Sequence, residues 1–257
     1  MSIVDKFNEL IEIMTKLRAP QGCPWDKKQT RESLKPFLVE ETYEVLEAIE
    51  EADHEMIKEE LGDLLFQIVF HCQVAKELGQ FDISDVIDSI SQKMIARHPH
   101  VFGDASLKTE SEVLVHWEKQ KKREGKNKKS IIEGIPKILP SLLRAHRLQD
   151  RVSRVGFDWD NVEEVIKKLD EEISEFKEAL TKGKKEEMEH EMGDILFTLV
   201  NISRFIHINP EDSLRKTIEK FISRFHYIEQ KAEEQGKALA KMTLSEMDAL
   251  WEQAKKG

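Results

Sequence analysis

The segment E-E-T-Y-E at residues 40–44, followed by E-L-G-D-L-L-F at residues 60–66, decides the fold of this chain. Its counterpart stands 131 residues later, as E-E-I-S-E at residues 171–175 and E-M-G-D-I-L-F at residues 191–197. Five acidic positions therefore recur at one constant offset. Internal repetition of this kind indicates two related halves, each with acids on two successive segments.

The composition favours long helices in both halves. Of 257 residues, 35% are charged and 7% aromatic, with 11 Gly and 7 Pro, and such low Gly and Pro contents are typical of helical proteins. We therefore predict an all-α fold of two repeated helical bundles. A basic stretch with Gly and Asn at residues 125–130 indicates a linker. The predicted domains are residues 1–125 and 137–257, joined by a linker at 126–136.

The charge balance and the cysteine content exclude several classes of protein. A net charge of −10 argues against an ordinary basic nucleic-acid-binding protein, but not against a nucleotide, whose charge a bound metal can carry. Two cysteines give no disulfide framework, which suits the cytoplasm. No apolar run approaches the ~20 residues that span a bilayer, so no membrane partner is expected. The sequence contains no G-x-x-x-x-G-K-[ST] segment, which argues against a P-loop ATPase.

Apolar periodicity and capping residues predict the helices. Residues 19–26 are rich in Pro and Gly and are predicted to be a loop, and Pro36 is predicted to lie in the first turn of the next helix. Asp160 with Glu163 is predicted to cap the first acidic helix of the second half. The predicted helices cover residues 3–17, 36–51, 55–78, 84–97, 111–123, 139–152, 162–181, 185–207 and 210–233, with a last one after Thr243.

The acids of the second segment lie on helices that are otherwise apolar. Glu60, Asp63 and Gln67 form a polar stripe at spacings of three and four on a helix that we predict to be buried. The same stripe recurs in the second half as Glu191, Asp194 and Thr198. A carboxylate on a buried helix costs free energy unless it is paired or bound to a metal ion.

The E-E-x-x-E segments place further carboxylates on one face of the preceding helix. Glu40 and Glu41 lie four and three residues before Glu44, so their Cβ atoms are roughly 5–6 Å from that of Glu44. Carboxylates that converge from two packed helices repel one another unless divalent cations neutralise them. Oxygen ligands at this density favour Mg²⁺, with Mn²⁺ as a possible substitute, over zinc.

Both halves also contain, at matching places, a basic residue four positions after a lysine and another four positions after a tryptophan. These pairs are Lys93–Arg97 and Trp117–Lys121 in the first half, and Lys220–Arg224 and Trp251–Lys255 in the second. Cations and an indole beside a metal site suit a polyphosphate with an attached base.

Two other interpretations of these residues stay open. The acids could form ordinary solvated faces paired with lysines, in which case the chain is a non-enzymatic helical binding protein without metal dependence. His98 and His100 could ligate zinc, although loop packing and hydrogen bonding are favoured for them.

The chain resembles the MazG family of nucleoside triphosphate pyrophosphohydrolases in its tandem two-domain form. The resemblance rests on the acidic repeats and on G-C-P-W-D at residues 22–26, R-H-P-H-V-F at 97–102 and V-G-F-D-W at 155–159, and it covers essentially the whole chain. It implies an all-α homodimer that hydrolyses nucleoside triphosphates to the monophosphate and pyrophosphate with Mg²⁺, as nucleotide-pool housekeeping. A narrower enzyme for dUTP or dCTP, with a related fold, is the alternative.

The resemblance also implies roles for individual residues. The implied metal ligands are Glu172, Glu175, Glu191 and Asp194 in the second half, and Glu41, Glu44, Glu60 and Asp63 in the first. Glu171 or Glu40 would orient or deprotonate the attacking water. The implied catalytic sets are Glu171 with Glu172 and Glu175, and Glu40 with Glu41 and Glu44. The implied nucleotide contacts are Lys168, Lys220, Arg224, Trp251 and Lys255, with Lys93, Arg97, Trp117 and Lys121 in the first half.

The second half departs from the family pattern at one position. The family often has two acids before M-G-D, but here His190 precedes Glu191, whereas the first half keeps Glu59 and Glu60. If the extra acid acts as the base, the second site is the weaker one, although in tandem members the second half is generally taken as catalytic. Which half is active, and which base and sugar it prefers, therefore stay open.

Overall fold

The computed structural model describes residues 1–106, 109, 112, 113, 116 and 130–255. These residues form helices joined by short loops and contain no strand, which confirms the all-α prediction. The chain divides into two compact units, Met1–Lys126 and Asn127–Gly257. We call them the first unit and the second unit. None of the helices in the described residues has both the length and the hydropathy needed to cross a membrane.

The first unit is built around a hairpin of two long helices. Ala52, in the left-handed region with φ of 55°, and Asp53 connect them, and the Asp53 carboxylate caps the second by accepting from two backbone N–H groups. The hairpin therefore packs its two helices side by side. The helices are α1 (Ile3–Arg18), α2 (Pro24–Lys28), α3 (Arg31–Glu51), α4 (His54–Glu77), α5 (Ile83–Arg97) and α6 (Pro99–Phe102).

The second unit repeats this hairpin. Its helices are α7 (Ser141–Ser153), α8 (Val162–Lys182), α9 (Lys185–Phe205), α10 (Pro210–Glu234) and α11 (Leu244–Ala254), with a 3₁₀ turn at Leu239–Lys241. Both helices of the α8–α9 hairpin begin 131 residues after α3 and α4. Gly183 ends α8 with a φ of 69°, which a residue without Cβ adopts at no steric cost. Thr243 and Glu246 form the predicted capping box at the start of α11.

The core of the first unit lies where α1 crosses the hairpin. Met14 and Leu34 are 0% exposed and Phe70 is 1% exposed, with Phe37 packed against them. Arg18 covers this core. Its guanidinium lies 5.4 Å from the centre of the Phe70 ring. It also donates 2.7 Å to the Glu77 carboxylate and bonds the backbone carbonyls of Asp26 and Gln29.

Several predicted helix boundaries were wrong. Helix α3 begins at Arg31 because Thr30 and Ser33 form a capping box, so Pro36 lies inside the helix, where its missing N–H removes a backbone hydrogen bond. The predicted loop at 19–26 ends early, since Pro24 opens α2. Asn161, not Asp160, caps α8 by accepting from the backbone N–H of Glu164. The helix predicted at 111–123 falls largely outside the described residues.

The helices that carry E-x-x-D are only partly buried, contrary to the prediction. On α4, Leu61 is 50% exposed and Leu65 and Ile68 are also exposed. On α9, Met192, Leu196 and Leu199 are exposed in the same way. One face of each helix packs within its own unit, and another presents apolar side chains to solvent.

Candidate active site

The α8–α9 hairpin brings together three carboxylates in the second unit. Glu172 and Glu175 lie on α8 and Glu191 on α9, and one oxygen of each lies within 4.8 Å of the others. Glu172 is only 6% exposed. Spacing of three on one helix and a facing position on its partner produces this cluster, as the repeated acidic pattern predicts. We call these three residues the second acidic cluster.

The second acidic cluster retains an excess of negative charge. The pKa of the Glu175 carboxyl is raised, first because of its loss of hydration and then because of the charges of Glu172 and Glu191. Lys168 provides partial compensation from one turn earlier on α8. Its ammonium donates 2.7 Å to Glu171 and lies 2.9 Å from Glu172, and these hydrogen bonds, first to Glu171 and then to Glu172, raise its pKa.

Asp194, the fourth implied ligand, lies beside this cluster but outside the tight group of three. Its carboxylate is 3.4 Å from Nε2 of His190, one turn earlier on α9. The histidine that replaces the expected acid therefore contacts an implied ligand. Sequence reasoning treated His190 only as a missing acid and did not predict this contact.

The first unit has a matching group of three, which we call the first acidic cluster. It contains Glu41 on α3 and Glu60 and Asp63 on α4, again with one oxygen of each within 4.8 Å of the others. Burial raises the pKa of the Glu41 carboxyl, and the charges of Asp63 and Glu44 add to this rise, although a hydrogen bond from Gln67 opposes it. Loss of hydration and then the charge of Glu44 also raise the pKa of the Glu60 carboxyl.

Both clusters are suited to a divalent cation. Each offers only carboxylate oxygens, which hard cations prefer. The raised carboxyl pKa values of Glu41, Glu60 and Glu175 reflect loss of hydration and mutual repulsion. The charge of a bound cation would offset both effects. Of the remaining implied acids, Glu40 and Glu44 lie on α3 with Glu41, and Glu171 lies on α8 with Glu172.

A cleft of about 660 Å³ opens beside the second acidic cluster. Glu172, Asp194 and Lys168 lie along its border, as the resemblance implies for a substrate site. The rest of its wall was not predicted. It combines aromatic and aliphatic side chains with a few polar groups: Leu148, Gln149, Val152, Gly156, Phe157, Asp158, Trp159, Phe197, Thr198, Asn201 and Arg204. Cavities of this size and lining are typical of small-molecule sites.

The predicted basic and indole residues lie on other helices. Arg224 on α10 places its guanidinium 5.5 Å from the centre of the Trp251 ring on α11, and Lys255 donates to Glu252 at the end of α11. Lys220 is exposed on α10. None of these four residues lines the cleft of the second unit.

The corresponding residues of the first half are only partly described. Lys93 and Arg97 are half-buried on α5, while Trp117 and Lys121 lie outside the described residues. Nδ1 of His98 lies 2.7 Å from the backbone oxygen of Met94. His98 therefore makes the hydrogen bond that was favoured over a zinc site.

Comparison with known proteins identifies the family. The sequence profile of the MazG nucleotide pyrophosphohydrolase domain matches residues 29–102 and 160–228. Nucleoside triphosphate pyrophosphohydrolase/pyrophosphatase MazG of Thermotoga maritima is 48% identical over 98% of this chain and 96% of its own length. Nucleoside triphosphate pyrophosphohydrolase of Escherichia coli K12 is 42% identical over 98% of both chains. YabN of Bacillus subtilis is 47% identical over 97% of this chain and 52% of its own length.

The two profile matches contain α3 with α4 and α8 with α9, the two hairpins that carry the acidic clusters. Fold, repeat and site geometry therefore agree with the full-length similarity. This chain belongs to the MazG nucleotide pyrophosphohydrolase family and carries the family's domain twice.

Proposed function

We propose that the chain hydrolyses nucleoside triphosphates to the nucleoside monophosphate and pyrophosphate at the second acidic cluster. The observation that carries this proposal is the convergence of Glu172, Glu175 and Glu191 beside a ligand-sized cleft. The names of the relatives from Thermotoga maritima and Escherichia coli support the same reaction.

The proposed cofactor is Mg²⁺, with Mn²⁺ as a substitute. Glu172, Glu175, Glu191 and Asp194 would hold it in the second half, and Glu41, Glu44, Glu60 and Asp63 in the first. A bound divalent ion supplies positive charge for the phosphates and lowers the pKa of a coordinated water. Oxygen-only donor sets support this choice over zinc.

The chain's own residues orient the reactants. Glu171, one position before the cluster, would accept a proton from the attacking water, with Glu40 as its counterpart. Lys168 already contacts the cluster and can exchange Glu171 for a phosphate oxygen. Lys220, Arg224 and Lys255 would stabilise charge on the pyrophosphate leaving group, and Trp251 would contact the nucleotide. Lys93, Arg97, Trp117 and Lys121 have the corresponding roles in the first half.

Product analysis tests the reaction. We expect the purified chain with Mg²⁺ to convert common NTPs and dNTPs, ATP included, to the monophosphate and pyrophosphate. A chelator should abolish turnover, because no cation then neutralises the phosphates or lowers the pKa of the attacking water. Ion-exchange separation distinguishes these products from diphosphate and phosphate. Diphosphate with phosphate would move the attack to the γ-phosphorus and overturn the proposal. Turnover confined to dUTP or dCTP would support the narrower enzyme, and no turnover the binding protein.

The proposed assembly is a homodimer. The exposed apolar side chains of α4 and α9, Leu61, Leu65 and Ile68 with Met192, Leu196 and Leu199, support it because contiguous exposed apolar surface is typical of interfaces. Sedimentation equilibrium that gives the monomer mass would reject it. We also propose a cytoplasmic location, which the free thiols of Cys23 and Cys72 support and cell fractionation would test.

A further inference from the structure

The side-chain amide of Gln67, beside the first acidic cluster, uses its donor but not its acceptor. Gln67 lies on α4 and is 8% exposed. Its Nε2 donates a hydrogen bond of 3.3 Å to Oε1 of Glu41, a member of the cluster. Oε1 of the same amide is buried and has no hydrogen-bond partner. A buried oxygen in this state has lost its hydration without a replacement.

The contact with Glu41 explains why the amide has this orientation. Burial raises the pKa of the Glu41 carboxyl, and the hydrogen bond from Gln67 opposes this rise. With the opposite orientation, the amide oxygen would face a carboxylate oxygen, and two acceptors repel each other. Without a cation in the cluster, Gln67 is therefore restricted to presenting its N–H groups.

The two acidic clusters differ in how their charge is compensated. Because α8 and α9 begin 131 residues after α3 and α4, positions on these helices can be paired between the units. Phe37 is paired with Lys168, and Gln67 with Thr198. In the second unit the Lys168 ammonium lies 2.9 Å from Glu172. In the first, no lysine or arginine among the described residues pairs with the acidic cluster, so its charge is left for a cation from solvent.

An amide oxygen is a suitable additional ligand for such a cation. Hard divalent cations are bound by carboxylate oxygens together with the carbonyl oxygens of Asn and Gln side chains. Rotation about the last side-chain bond of Gln67 exchanges its nitrogen and oxygen, and this bond is only weakly restricted in amides. Once a cation neutralises Glu41, the oxygen is the favoured group on that side. Thr198 has no amide, and the charge of Lys168 opposes a cation in the second cluster.

We propose that Gln67 is a ligand of a resident divalent cation in the first acidic cluster, which the nucleotide-free chain holds more tightly than a cation in the second. Glu41, Glu60 and Asp63 provide the charged oxygens and Gln67 the neutral one. A cation held by this many protein oxygens does not depend on substrate phosphates for its ligands. The inference rests on the cation proposed for the first half and on no step of the proposed reaction.

Binding of Mn²⁺ to the nucleotide-free full chain tests the role of Gln67. Electron paramagnetic resonance of the free ion should show one tight Mn²⁺ per chain and a weaker second one. Gln67→Met keeps the length of the side chain but removes the amide, and should weaken the tight class about tenfold, as loss of a group that supports a metal site does. Gln73→Met is the matched control on α4. Gln73 donates to Glu77, so this variant should leave the tight class unchanged.

Gln67→Glu distinguishes a ligand from a hydrogen-bond donor. The introduced carboxylate is a charged oxygen ligand, so Mn²⁺ should bind at least as tightly as before. The thermal midpoint in chelator should fall, because another negative charge joins the cluster, and Mn²⁺ should raise it by more than in the unsubstituted chain. If Gln67 acts only as a donor to Glu41, Gln67→Glu weakens Mn²⁺ binding as Gln67→Met does, and the proposed ligand is overturned.

Two single variants locate the tight class. Glu41→Gln should remove it and Glu172→Gln should keep it, and the reverse result overturns the inference. Unchanged Mn²⁺ affinity in Gln67→Met, folded by circular dichroism, also overturns it. Hydrolysis of nucleoside triphosphates by a chain that has no tight Mn²⁺ class overturns this inference alone. A tight Mn²⁺ in a chain that turns over no nucleotide overturns the proposed reaction alone.

Discussion

Replacing Glu172 and Glu175 together with Gln is expected to lower kcat/KM for nucleoside triphosphates by at least about 10²-fold, the scale on which single preorganised electrostatic groups act. Glutamine keeps the size of each side chain but carries no charge, and it is a poor ligand for a hard cation. Glu172 is the buried member of the second acidic cluster and lies within 4.8 Å of both other ligands, so its loss affects both of them.

The same variant should not unfold the protein. Glu172 is among the causes of the raised pKa of Glu175, which shows that the carboxylates repel one another without a cation. Removing two of these charges relieves repulsion, so the thermal midpoint in chelator should stay equal or rise. The stabilisation that Mg²⁺ gives the unsubstituted chain should shrink in the variant, because a ligand stabilises only the state that binds it.

Glu41→Gln with Glu44→Gln is the matched control in the first unit. If nucleotide binds only beside the second cluster, this control keeps most of its activity. Activity that disappears only when all four acids are replaced would assign turnover to both halves. Full activity of the fourfold variant would show that the acids are not the site.

The fold was predictable because each half repeats the same local signals. The helix starts predicted at residues 162, 185 and 210 match α8, α9 and α10. Asn161 and Asn209 cap α8 and α10, whereas Lys184 provides no side-chain cap before α9. The start of α3 was misplaced because Pro36 was treated as a first-turn residue, whereas Thr30, six residues earlier, caps the helix. The exposure of Leu61 and Met192 was not predicted, because apolar residues all around a helix do not show which of its faces packs against another helix.

The acidic clusters were predictable from what the halves share, and the cleft lies where they differ. Glu41 and Glu172 stand out in the sequence because both halves keep them at one offset. Phe70 and Asn201 share no chemistry, so a search for repeated residues passes over them. The helix register is needed to place them at one point of the fold, and only then does the exchange of a core phenylalanine for asparagine indicate a cavity.

Phe70→Ala should therefore destabilise the first unit by about 3–5 kcal/mol, the usual cost of removing a buried phenylalanine ring. Phe70 is 1% exposed, contacts Phe66 edge-on at 6.1 Å between ring centres, and lies beneath the Arg18 guanidinium. All of these contacts are lost together, and the core around Met14 and Leu34 gains a cavity. Urea unfolding of the full chain, followed by circular dichroism, should show the transition of the first unit at lower urea.

Asn201→Ala at the paired position is the comparison, because the two residues differ in role although the helices match. Asn201 borders an open cleft, so its truncation removes the two hydrogen bonds that Arg204 donates to its Oδ1 and little packing, at a cost of about 1–2 kcal/mol. Equal losses of stability in the two variants would mean that both positions are core, and the cleft would then not distinguish the halves. A large loss at Phe70 beside a small one at Asn201 is expected if one copy of the repeat has kept its packed core and the other has opened it for a ligand.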